Sequence, residues 1–180
     1  FDVREKGSGN AGTTNMLRSV GKKAAALTLI CDILKGIVAI LIAMFIGWAF
    51  QVENQSLLVQ IAGIAVVIGH TFPIFFGFKG GKGVATSLGI LIMSNWQIGL
   101  ICLVFGVILI VLTRMVSLGS CAAAVLFPVL TLFITENYIV TQGSGYLIYS
   151  IILAAIVLFN HRSNIKRILA GKENKISFKK

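Results

Sequence analysis

Long apolar runs separated by short polar connections fill the chain of 180 residues. Six runs stand out, at about residues 24–49, 57–76, 84–94, 98–112, 116–135 and 145–159. Most approach the ~20 residues a helix needs to cross a hydrocarbon layer of ~30 Å at ~1.5 Å per residue. The pattern predicts an all-α, polytopic membrane helix bundle with about six transmembrane segments, a single domain over 1–180. The third run is too short to cross upright. Followed by Asn95, Trp96 and Gln97, it predicts a short or re-entrant helix packed among its neighbours.

Charge sharpens this picture. The chain is 57% hydrophobic and 12% charged, with a mean hydropathy of +0.93, far too apolar for a soluble domain of this length. Arg4, Lys6, Arg18, Lys22 and Lys23 precede the first run, Lys79 and Lys82 follow the second, Arg114 follows the fourth, and a basic tail follows the sixth. The alternate connections hold only Glu53 and Glu136. If every run crosses, all basic connections share one face, and the positive-inside rule makes that face cytoplasmic. The formal charge of +10 is then a topology signal, and no nucleic-acid partner is expected. Cys31, Cys102 and Cys121 all lie within apolar runs without metal-ligand spacing, so they read as small core residues. Asp32 and Lys35 stand at i,i+3 inside the first run, where they can pair or line a polar interior.

Three polar segments, at about 7–23, 77–83 and 160–175, exceed what topology requires. The first, "GSGNAGTTNMLRSVGKK", offers Ser8, Asn10, Thr14, Asn15 and Arg18 among glycines. Glycine-rich backbone can aim several N–H groups at an anion, and a guanidinium adds a bidentate phosphate donor. Gly7, Gly9 and Gly12 imitate a dinucleotide fingerprint, but no strand precedes them and a membrane helix follows. The second holds the elbow "KGGKG", Lys79, Gly80, Gly81, Lys82 and Gly83, with His70 shortly before it. It is not a Walker loop, because Gly81-Lys82 is followed by glycine. Flexible backbone with two ammonium groups suits a phosphate nonetheless. The third, "FNHRSNIKRILAGKENK", presents Asn160, His161, Arg162, Asn164 and Arg167. Its basic residues from Lys172 onward read as a solvated tail, while Arg162, Lys166 and Arg167 also suit anionic lipid. A bundle bringing these segments together would bind a strongly anionic, partly lipid-like ligand. No metal set and no carboxylate cluster is visible, so no metal or other cofactor is expected.

These segments, with "SGNAGTTNMLRSVGKKAAALTLICDILKG" and "GHTFPIFFGFKGGKGVAT" extending the first two, resemble the signature regions of the PlsY-type acyl-phosphate:glycerol-3-phosphate acyltransferases. The resemblance runs in order from about Gly7 to Lys175. It implies transfer of a long-chain acyl group from acyl phosphate to the 1-hydroxyl of glycerol 3-phosphate, giving lysophosphatidic acid and inorganic phosphate. It also implies a bacterial inner-membrane enzyme of phospholipid synthesis, active on the cytoplasmic face. A functional link to the enzyme that makes acyl phosphate follows. Family members have seven spans, so the resemblance implies one before Phe1. Ser8 and Arg18 match the first motif's essential serine and arginine, residues 79–83 the glycerol-phosphate loop, and His161 with Asn164 the critical pair of the third. Ala11 and Thr13 depart from the family's usual proline and alanine without touching its polar signature. The H-x-x-x-x-D pair of the other glycerolphosphate acyltransferases is absent, since Phe75 and Lys166 stand five residues after the two histidines. From another class, a transporter of phosphate or phosphorylated metabolites would show repeated halves, and "KGGKG" occurs once.

Overall fold

The computed structural model describes residues 2–134 and 145–176. The end of the fifth run and the connection carrying Glu136 lie outside these. After a 3-10 turn at Val3–Glu5 come a short helix α1 (Thr13–Ser19), then α2 (Lys22–Ala49) and α3 (Gln55–Thr71). A second 3-10 turn, Ile74–Phe76, leads through the glycine elbow to α4 (Val84–Ser94). The chain continues with α5 (Trp96–Thr113), α6 (Val116–Thr131), α7 (Gly145–Asn160) and α8 (Arg162–Leu169). No strand occurs among the described residues.

Local chemistry sets several boundaries. The Asn54 and Asn95 side chains accept from the N–H groups of Leu57 and Ile98, at 2.9 and 3.1 Å, and so cap α3 and α5. Pro73 bars the helical conformation at Phe72, so the second run ends as helix at Thr71 and closes in a turn.

By length and composition α2, α5 and α3 with its following turn can each cross a membrane, whereas α4 and α6 are shorter. The pair α7 and α8 reaches the required length only together, bent by 66°. The bundle's outer surface is nevertheless apolar: Leu27, Phe45 and Trp48 on α2 and Leu100, Val104 and Leu112 on α5 are exposed. Such a surface is costly in water and ordinary in a bilayer.

Inside, α2 and α4 touch backbone to backbone. A Cβ on Gly36 would overlap the Thr86 carbonyl oxygen, and one on Gly89 would overlap that of Ile33. Small residues permit this approach, the usual source of helix association within lipid. Gly106 and Gly119 do the same for α5 and α6. Ile40, Val59, Ile90, Ile98 and Leu153 fill the core between the helices.

Candidate active site

One end of the bundle gathers all three polar segments. Asn10 Nδ2 donates to the Gly80 carbonyl at 3.2 Å, tying the first segment to the elbow. Asn160 Nδ2 donates to Thr71 Oγ1 at 3.2 Å, tying α7 to the end of α3. Arg18 donates to the Asn174 carbonyl at 3.2 Å, and the Ile176 N–H donates to the Arg114 carbonyl at 2.8 Å. The tail through 176 is therefore docked, not solvated as the run of charges suggested.

The first segment folds around Asn15. Its Oδ1 accepts the Ser8 N–H at 2.9 Å, and its Nδ2 donates to the carbonyls of Val3, Lys6 and Asn10 at 2.9–3.0 Å. Expected to face a ligand, the buried Asn15 amide instead holds the loop. Ser8 and Arg18 are exposed around it, and Thr14 is half-buried in the first turn of α1.

The elbow departs from a flexible cradle. The Gly80 and Gly81 N–H groups donate to the Thr71 and His70 carbonyls at 3.0 and 3.2 Å. They satisfy orphan carbonyls at the end of α3 and are not aimed at an anion. Cβ atoms at these positions would overlap the His70 carbonyl oxygen and His70 Nε2 respectively. Their glycine is thus a matter of fit. At Gly83 the φ of 84° is left-handed backbone, which favours glycine directly.

Beneath the elbow, Lys35 Nζ lies 2.7 Å from Asp32 Oδ1 and 3.3 Å from His70 Nδ1. An ammonium can only donate, so this contact makes Nδ1 the acceptor and leaves Nε2–H toward Gly81. These three residues, with Arg4, Lys79, Gly80 and Gly81, line a cavity of about 810 Å³.

A second cluster lies on the other side of the elbow. Lys82 Nζ donates to Asn164 Oδ1, and Asn164 Nδ2 donates to Glu173 Oε1 at 2.8 Å. Ser117 Oγ and Arg167 Nε donate to the same carboxylate at 2.9 and 2.8 Å. Burial pushes the Lys82 ammonium below its usual range, with Glu173 opposing. For Glu173, burial acts upward, but the bonds from Asn164, Arg167 and Ser117 outweigh it and hold the carboxyl low. His161, 3% exposed, donates from Nδ1 to the Val157 carbonyl at 2.8 Å, which fixes Nε2 as an acceptor. Burial lowers it from 6.5 to about 4, against that hydrogen bond. Arg162 does not join: its guanidinium stacks on Phe159, 4.6 Å from the ring centroid, on the exposed side of α8. An apolar cavity of about 130 Å³ between α4, α5, α6 and α7 starts beside this cluster, at Val84 and Val157. Among the described residues, no three His, Cys, Asp or Glu side chains are grouped to hold a metal.

The family model for glycerol-3-phosphate acyltransferase matches residues 1–171. The chain belongs to this family. It is 47% identical to the glycerol-3-phosphate acyltransferase of Thermoanaerobacter sp. (strain X514), over 99% of its own length and 84% of that protein. The enzyme of the same name from Clostridioides difficile (strain 630) is 42% identical over the same shares. The fold is similar to the crystal structure of PlsY, an integral membrane glycerol 3-phosphate acyltransferase, in its glycerol 3-phosphate form. There the TM-score is 0.84 at 33% identity, covering 98% of this chain and 83% of the other. The lysophosphatidic acid form gives 0.79 at 34% identity, covering 94% and 81%.

Within this acyltransferase, Glu173, Ser117 and Arg4 were not legible as site residues. Glu173 looked like one acid in a solvated basic tail, and Ser117 like a helix start. Only the docking of the tail brings them to the cluster. Arg4 reads as a topology charge, yet its Nη1 donates to the Phe76 carbonyl at 2.6 Å and it borders the large cavity. The signal available in sequence was the lone Glu173 amid lysines, shortly after Arg167.

Proposed function

We propose that this chain transfers a fatty acyl group from an acyl phosphate to the 1-hydroxyl of glycerol 3-phosphate, releasing lysophosphatidic acid and inorganic phosphate. The site then faces the cytoplasm of a bacterial plasma membrane, and an enzyme that makes acyl phosphate supplies the donor. The observation that carries the reading is the arrangement of two unlike cavities about one cationic elbow. The larger cavity, with Lys35, Lys79, Asp32 and His70 set in an otherwise largely apolar lining, suits a small phosphorylated polyol. The apolar cavity suits a hydrocarbon chain whose phosphate lies at its mouth, within reach of Lys82, Arg18, His161 and Asn164.

In this scheme the 1-hydroxyl oxygen attacks the acyl carbonyl, the new ester bond forms, and the bond from that carbon to the phosphate oxygen breaks. The phosphate leaves with the electron pair. The hydroxyl proton passes to a substrate phosphate oxygen, because His161 at about 4 is a poor base at neutral pH. Acyl phosphate carries its own leaving group, so positioning and stabilisation of developing negative charge suffice. Lys82 and Arg18 supply that charge, with Asn164 and Arg167 holding the Lys82 side of the cluster. Asn15 and Asn10 act by fixing the loop. Ser8 donates a hydrogen bond and is not acylated, since no base stands beside it to activate it.

The test is to incubate purified protein with glycerol 3-phosphate and either palmitoyl phosphate or palmitoyl-CoA, then weigh the products. Lysophosphatidic acid from acyl phosphate alone is expected. Product from the thioester alone would overturn the donor assignment, and no product from either would overturn the reaction.

A further inference from the structure

The apolar cavity has a closed end. The end nearest the cluster is lined by Val84, which follows the elbow, and by the buried Val157, whose carbonyl accepts from His161 Nδ1. Its far end is made by Leu91, Cys102, Phe127 and Leu153, each at most 6% exposed. Phe127 packs edge-on against the stacked pair Tyr146 and Tyr149, with ring centroids 6.0 and 6.5 Å away, so it cannot swing clear without disturbing the core. One flank differs: Leu103 and Val107 also line the cavity yet are 41% and 47% exposed. The cavity therefore opens sideways, between its mouth and its floor, onto the lipid-facing surface of α5.

Along α6 the lining runs from Gly119 to Phe127, a rise of about 12 Å at ~1.5 Å per residue. An extended hydrocarbon with bonds of ~1.5 Å advances roughly 1.3 Å per carbon. The lining up to Phe127 is thus as long as about nine extended carbons. Carbons beyond that must turn out through the α5 flank into lipid, where surroundings as apolar as leucine give nothing to select on.

We propose that Phe127 is the floor of a measuring pocket, so that the enzyme discriminates the first nine or so carbons of the acyl chain and is indifferent to the remainder. This rests on the acyl-phosphate reading above. It assigns substrate selectivity to a residue remote from the phosphates, and it makes the position of a substituent, not total chain length, the quantity that is read.

The experiment uses sixteen-carbon acyl phosphates of one length, each bearing a single methyl branch moved stepwise along the chain, with the unbranched donor as reference. A branch within a close-packed pocket forces overpacking, so branches up to about carbon nine should lower kcat/KM by roughly tenfold. Branches further out should leave it within twofold. Ala124→Leu, which fills the pocket one turn above Phe127, should move the boundary toward the carbonyl. Phe127→Leu should move it outward. Opposite movements cannot come from loss of fold, and each variant is read only against its own rate with the unbranched donor. A wild-type profile without a boundary overturns the proposal, as does a boundary that stays put in both variants, which would leave the cavity to bulk lipid. Failure to use the unbranched donor at all would instead overturn the acyl-phosphate reading.

Discussion

Arg18 lies exposed at the rim of the site, where its guanidinium donates to the Asn174 carbonyl. A guanidinium grips phosphate with paired bonds, whereas lysine is a point charge on a flexible stem. Arg18→Lys should fold and insert, yet lose about 30- to 1000-fold in kcat/KM, the loss of roughly 2–4 kcal/mol seen for comparable charge-stabilising donors. Steady-state kinetics on the purified variant checks this, and full activity would return Arg18 to the count of topology charges. His161 gives a pH test. Its folded value of about 4 lies below the ordinary 6.5, so between these values the unfolded chain holds the proton and the folded chain does not. The contribution of His161 to stability should therefore be constant above pH 6.5 and fall as pH drops toward 4, by about 2 kcal/mol between pH 7 and 5. Thermal unfolding in detergent should show that slope, and His161→Gln should flatten it. The residue types of the candidate site were legible as a set, because a phosphate ligand would draw on cations, amides and hydroxyls. Their division of labour was not. Asn15 and Asn164 are the same residue type in equally polar surroundings, and only the hydrogen-bond partners show that one holds a loop while the other meets Lys82.

At the scale of elements, hydropathy located the six apolar helices to within a few residues, because each run is bounded by a charge, a cap or a glycine. It missed the break at Pro73, where apolar side chains continue through a turn and hydropathy carries no trace of the missing helical bonds. It also misjudged the elbow. Glycines there looked like flexibility and are close contact, a distinction that depends on where His70 points. Gly81→Ala should consequently push the His70 ring and the elbow apart. The apparent KM for glycerol 3-phosphate should rise by about tenfold, in line with the 1–3 kcal/mol cost of overpacking, with that for the acyl donor nearly unchanged. Initial-rate measurements varying each substrate in turn would show it. Equal rises for both would mean that the whole site had loosened.

For the molecule as a whole, contacts among Arg4, Asn10, Lys82, Arg114, Asn160 and the tail place every basic connection at one end of the bundle. That end should be cytoplasmic. Single cysteines at positions 79 and 114, in a background lacking Cys31, Cys102 and Cys121, should be inaccessible to an impermeant reagent in intact cells and react once the membrane is opened. Reaction in intact cells would invert the protein.

The reciprocal glycine contact between α2 and α4 also bears on how the protein is made. An insertion machine sorts segments by how well each stands alone in lipid, and α4, with 11 residues, is a weak client. Its retention must come from a partner already in place, and among the described helices that precede it α2 receives its backbone closely around Gly36. Gly36→Leu should therefore surface as a biogenesis defect: newly made chains with residues 84–94 left outside and open to protease, cleared before they could be assayed. Such a lesion would be recorded in a cell as loss of the enzyme, although the substituted residue lines neither cavity.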